Sequence, residues 1–219
     1  MGGTILLVVP DVEKGIARIS TIYRSKKKLK IEVKLRSLKI YYDIIDSITI
    51  PLTFGSGNYT FNLYEQRLGT SYRLVAGTPR FIQLNNNEAY RLNANDFVPF
   101  NEQSKFYHTA KLLRTADNIA RFVKTHFNYD YIKALLKART DFTIPNLEEC
   151  YEKKKGICYD LAALTAAMMR ICGIPAALVI GKSDRANHAW VEVNGKIYDP
   201  AKDLTKPNKQ STYLAERYY

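Results

Sequence analysis

The sequence predicts an α+β fold, with a strand-rich region first and helices packed on an antiparallel sheet second. Three observations carry this. Leu29, Ile31, Val33 and Leu35 alternate with Lys30, Glu32, Lys34 and Arg36, the two-residue period of a strand with one buried face. From Leu112 to Phe127 the apolar residues recur instead at helical spacing. Beyond them an apolar helix pattern from Cys158 to Cys172 is followed by a hairpin signal at Asn194-Gly195.

Strands are expected from about Thr21 to Val98. The alternation changes phase at Ser37, which predicts a bulge or bend. Further strands are expected at 48–54, 59–65, 72–76 and 80–84. Gly55-Ser56-Gly57-Asn58, Gly69-Thr70 and Gly77-Thr78-Pro79 supply turn chemistry between them. Short strands at this spacing suggest a small β-sandwich. After Ser104 a long helix carries Leu112, Leu113, Ile119, Val123 and Phe127 on one stripe, with His108 and His126 as packing or surface residues. A short helix is expected at Tyr131–Ala138. Another is expected over Glu148–Lys155, capped by Asn146 and ended by Gly156. Gly173 and Pro175 stop the Cys158 helix, and strands are expected at 177–181, 189–193 and 196–198. The domains are expected at 1–100 and 101–219.

The 219 residues suffice for one large domain or two small ones with a hydrophobic core. Thirty-three Lys and Arg against 21 Asp and Glu give a net charge of +12, which points to an anionic neighbour. Part of the excess crowds into Arg24–Lys39, where the plain expectation is a solvated strand face. Sixteen tyrosines favour strands and wet surfaces. Three cysteines do not make a disulfide framework, and no Cys-x-x-Cys pair suggests zinc. No acidic loop has calcium-ligand spacing, so no metal or cofactor is expected. No apolar run reaches the ~18 residues of a membrane span. Met1-Gly2-Gly3 reads as a start added to a trimmed chain, with a signal segment expected ahead of it in the natural protein.

The chemistry concentrates in Gly156-Ile157-Cys158, Asn187-His188-Ala189-Trp190 and Tyr198-Asp199-Pro200. Cys158 opens its helix, where unpaired N–H groups and the helix dipole favour an anion such as a thiolate. The same N–H groups can donate to a developing oxyanion. A tight turn at Asn194-Gly195 places His188 opposite about position 201, near Asp199, with a small offset. A carboxylate there would fix the imidazole's tautomer and stabilise its charged form. Cys150 and Cys172 read as inert packing residues, Trp190 as sheet packing, and Asp160 as a first-turn carboxylate favoured by the helix dipole.

Taken in order, Gly-x-Cys, Gly173-Ile174-Pro175-Ala176, His188-Ala189-Trp190 and Asp199-Pro200 resemble the transglutaminase-like superfamily over roughly Asp117 to Asp203. The resemblance implies a papain/transglutaminase-like core with Cys158, His188 and Asp199 as the catalytic Cys, His and Asp. It also implies that the first region is like the Ig-like modules preceding such domains in secreted bacterial relatives. Ala177 stands where many relatives have Arg, and Tyr159 where Gln or Trp is frequent, which bears on substrate rather than nucleophile. The oxyanion side chain is left open between Tyr129 and Tyr131.

The expected activity is acyl transfer on peptide or carboxamide substrates through a thioester, with hydrolysis favoured, at the surface of a bacterium or in its secretions. The expected partner is a protein or cell-wall peptide, with the basic face touching an anionic surface. Protein crosslinking and a binding module with a vestigial triad are the alternatives. Specific nucleic-acid binding ranks last, because no recognition motif accompanies the charge.

Overall fold

Alternation between buried and exposed positions sets the first part of the chain. In the computed structural model the described residues are 5–137, 144–184, 186–201 and 212–219. The chain divides into two compact units, Met1–Tyr90 and Arg91–Tyr219.

The first unit contains β1 (Leu6–Asp11), β2 (Ile16–Thr21), β3 (Leu29–Leu35), β4 (Leu38–Ile44), β5 (Ser47–Pro51), β6 (Gly57–Gln66) and β7 (Tyr72–Ile82). They form two antiparallel sheets, ordered β1-β2-β5 and β4-β3-β6-β7. Ile31, Val33 and Leu35 point inward from β3 and are buried, as the alternation requires. The phase change at Ser37 is a chain reversal, not a bulge. Arg36 takes a left-handed φ of 55°, and Leu35 pairs with Leu38 across a two-residue turn. Gly77-Thr78-Pro79 is likewise not a turn but the middle of β7. That strand is an edge, where proline forfeits no ladder bond. A bulge at Val75 of β7, opposite Leu63 and Tyr64, shifts the register of this pairing. The hairpin β1-β2 lies ahead of Thr21, where the sequence predicts the strands to begin.

Within the basic stretch, Lys26, Lys27, Lys34 and Lys39 are exposed, while Lys28 and Lys30 bridge to Asp43 at 3.4 and 3.7 Å. Glu32 is buried on this face and accepts hydrogen bonds from Tyr41 and, at 2.8 Å, from Asn62. Tyr59, fully buried near the start of β6, donates its hydroxyl to the Gly55 carbonyl at 2.7 Å.

In the second unit the expected long helix is two: α1 (Tyr107–Leu113) and α2 (Ala116–His126). Arg114 turns left-handed at φ 63°, and the Thr115 side chain caps α2 by accepting from Asn118 N–H at 3.2 Å. Leu112 is consequently 79% exposed, whereas Ile119 and Val123 are buried. The next elements are β8 (Asn128–Tyr129), α3 (Tyr131–Lys137), α4 (Leu147–Lys153), β9 (Lys155–Gly156) and α5 (Cys158–Ile171). Ala138 lies outside the described residues. Asn146 caps α4 as expected, but Lys154 in the left-handed region ends it, and Gly156 belongs to β9.

β10 (Ala177–Ser183), β11 (Ala186–Val193), β12 (Lys196–Tyr198) and β13 (Tyr213–Tyr218) form an antiparallel sheet ordered β12-β11-β10-β13. Asn194 and Gly195 both have positive φ, 49° and 76°, which makes the expected type I′ turn. β13 had no counterpart in the sequence reading. α5 packs on β11 and is flanked by α1, α2 and α4, so every residue from Tyr159 to Ile171 is buried. Such all-round burial explains why this helix reads as apolar on every side. Its buried Arg170 is satisfied by the carbonyls of Ala176, Asn93 and Tyr219 at 2.9, 2.6 and 2.6 Å.

Candidate active site

The site assembles where the α5 N-terminus meets the β11–β12 hairpin. β8 and β9 pair in parallel, Tyr129 opposite Gly156, which brings Tyr129 beside the start of α5. Asp130 N–H donates to the Gly156 carbonyl at 2.9 Å and fixes the approach. Asp160, itself buried, folds back to accept from Ile157 N–H at 3.0 Å and from Lys133 Nζ of α3 at 2.6 Å. Asp160 is thus a structural carboxylate that holds the turn carrying Cys158. Gly156 leaves no room for a side chain: a Cβ there would stand 2.8 Å from the Asp160 Cβ and 3.0 Å from the Cys150 Sγ.

The three cysteines are unpaired. Cys150 is buried, and burial, with the Asp160 charge, pushes its thiol up to about 12. Burial also raises Cys172, whose thiol donates to the Ala110 carbonyl at 3.0 Å. Cys158 is half-exposed at the first position of α5.

His188 and Asp199 are brought together as the hairpin requires. Val191 pairs with Tyr198, the ladder ends there, and the Asp199 Oδ2 comes 2.8 Å from His188 Nε2. The Asp199 bond occupies Nε2, and the Cys158 thiol lies close enough to the imidazole to favour its charged form. Burial pushes the imidazole down, but the hydrogen bonds and charges of Asp199 and Cys158 outweigh it and raise His188 to about 9. Burial would raise the Asp199 carboxyl. The His188 bond and charge, the Tyr213 hydroxyl at 2.9 Å and the Ala201 N–H at 3.1 Å reverse this and hold it below the usual carboxylate range. Trp190 is buried in the sheet, its ring 6.4 Å from that of His188 and 5.0 Å from that of Tyr213.

Between the two tyrosines left open, the structure brings Tyr129 to the thiol. Burial, then the charge and hydrogen bonding of Cys158, push its hydroxyl up to about 12. Tyr131 packs edge-on against Tyr129 at 5.0 Å and is 73% exposed. The two-residue strands that select Tyr129 are too short to leave a periodic signal in sequence. Tyr213 and Lys133 were not singled out from sequence, since each acts through a partner distant in the chain.

Among the described residues there is no cluster of His, Cys, Asp and Glu able to hold a metal ion, and no helix is long and apolar enough to cross a membrane.

No curated protein matches the sequence. One similar solved structure is a protein of Cytophaga hutchinsonii, described only provisionally as a cysteine protease. It is 15% identical, covers 85% of this chain and 71% of its own, and superimposes with a TM-score of 0.43, too loose a likeness to bear on activity. Residues 103–202 match the family model described as "Transglutaminase-like superfamily". With that match spanning α1 to the end of the β11–β12 hairpin, this part of the chain belongs to the transglutaminase-like superfamily.

Proposed function

We propose that the protein is a cysteine-dependent hydrolase of peptide or carboxamide bonds, with Cys158 as nucleophile, His188 as acid and base, and Asp199 as the group that orients the ring. The observation that carries this is the convergence on one imidazole of the α5 N-terminal thiol and a buried carboxylate. Cys158 Sγ attacks the carbonyl carbon, and the electron pair moves onto oxygen. Tyr129, whose hydroxyl is close to the thiol, and the Cys158 N–H at the start of α5 are the donors we assign to that oxyanion. His188 delivers its proton to the leaving amine as the C–N bond breaks, which leaves a thioester. His188 then takes a proton from water, and hydroxide attack releases the acid and the thiol.

An amine in place of water would make the same site a crosslinking enzyme. We take 1–90 as an Ig-like module that presents the catalytic unit at a bacterial surface. The strand order β1-β2-β5 and β4-β3-β6-β7 supports that reading, since it is the A-B-E and C′-C-F-G order of such sandwiches. So does Tyr59, whose hydroxyl closes on the backbone upstream of the sixth strand, as a tyrosine corner does. The exposed Lys26, Lys27, Lys34 and Lys39 suit contact with anionic wall polymers.

The test is a peptide-library digest with an amine-incorporation arm, on wild type and Cys158→Ala, together with iodoacetamide labelling followed by mass spectrometry. Cys158 should label near neutral pH well ahead of Cys150 and Cys172. Equal labelling of all three, with neither cleavage nor incorporation, would leave only the binding-module reading.

A further inference from the structure

The carboxylate oxygen that holds His188 is shared. Asp199 Oδ2 accepts from His188 Nε2 at 2.8 Å and from the Tyr213 hydroxyl at 2.9 Å. Tyr213 opens β13, beyond the segment 103–202 that matches the family, and it pairs directly with Ser183 of β10. Burial and the Asp199 charge disfavour ionisation of the Tyr213 phenol, the Ser183 hydroxyl across the ladder works the other way, and the phenol proton goes to Asp199. Trp190 packs edge-on against the Tyr213 ring and lies along the His188 ring, so the aromatic frame fixes both partners of the carboxylate. From these contacts we infer that Tyr213 is a positioning residue for the triad, setting how strongly Asp199 grips and charges His188.

The physical reason is competition at one acceptor. Two donors on one oxygen each hold it less strongly than one alone, and the second also fixes the plane in which the carboxylate lies. With the phenol present, Asp199 orients the ring without locking its proton, which His188 must give to the leaving amine and recover from water. Without it, the full charge of Oδ2 falls on Nε2–H. His188 should then bind its proton more tightly and release it less readily.

This inference rests on the proposed role of His188, and the experiment separates the two. The His188 ring is titrated by NMR in wild type, Tyr213→Phe and Ser183→Ala, and the rate of Cys158 alkylation by iodoacetamide is followed over the same pH range. Phenylalanine keeps the ring packing and removes only the donor. Tyr213→Phe should raise the His188 midpoint by about half a pH unit, roughly threefold in proton affinity. Ser183→Ala should shift it the same way by less. The alkaline limb of the alkylation profile should move with the ring. A Tyr213→Phe midpoint equal to or below that of wild type overturns the inference, even if the melting temperature falls. A wild-type alkylation profile that never follows the His188 titration overturns the proposed function instead. Should Tyr213→Phe fail to fold by near-UV circular dichroism, Ser183→Ala decides alone, and an unshifted midpoint there counts against the inference.

Discussion

Replacing Asp199 by Asn tests the charge logic of the site most directly. Asn keeps the shape and an oxygen to accept from Nε2, but it removes the anion. His188 stands at about 9 against an ordinary 6.5, with burial opposing and Asp199 the first of the raising partners. Were the variant to return the ring to its ordinary value, the protonated fraction at about pH 8 would fall from ~90% to ~3%, about thirtyfold. At about pH 6 the same change costs only ~1.3-fold, so the defect must grow with pH. A further, pH-independent loss comes from the tautomer and orientation that the carboxylate no longer fixes. Stability follows the same linkage. A folded value above the unfolded one stabilises fully below about pH 6.5, and the contribution disappears as pH rises through about 9. Its ceiling is about 3 kcal/mol, from a shift of about 2.5 units at 1.36 kcal/mol each. The assay is an NMR titration of the His188 ring in both proteins, with turnover of a peptide from the library digest at the two pH values. An unchanged ring midpoint in Asp199→Asn, or an equal loss of turnover at both pH values, would refute the reasoning.

Three other outcomes are expected. Tyr129→Phe should lower kcat by about 100- to 1,000-fold with KM nearly unchanged, as for one lost oxyanion donor, and steady-state kinetics on the same peptide reads it. Gly156→Ala should cost about 1–3 kcal/mol in urea denaturation, because its Cβ meets the Asp160 and Cys150 side chains and must shift the turn that carries Cys158. Tyr59→Phe should destabilise the first unit by about 1–3 kcal/mol while Cys158 keeps its alkylation rate, since it leaves the Gly55 carbonyl without its donor.

The legibility of this chain followed the range of the forces involved. The Asn194-Gly195 turn is local chemistry, so the sequence alone locates the hairpin and, through it, the approach of Asp199 to His188. The N-terminal position of Cys158 was readable from the apolar pattern bounded by Gly156 and Gly173. Where the sequence misled, a non-local partner decided. Pro79 stays in a strand because β7 is an edge, and nothing local marks an edge. The helical stripe from Leu112 to Phe127 looked continuous, yet Thr115 offered a cap and Arg114 could turn left-handed, so the chain broke there. Tyr213 was invisible for the same reason. Its meaning lies in a carboxylate 14 residues earlier, just past the end of β12.

The placement of β13 has a consequence for biosynthesis. A ribosome releases the sulfur, the ring and the carboxylate first, and only afterwards the strand that closes the edge of β10 and presents a phenol to Asp199. A nascent chain therefore carries Cys158, His188 and Asp199 before it carries the phenol that restrains the carboxylate. On the proposed chemistry, the tuning of His188 is acquired after the three groups it serves.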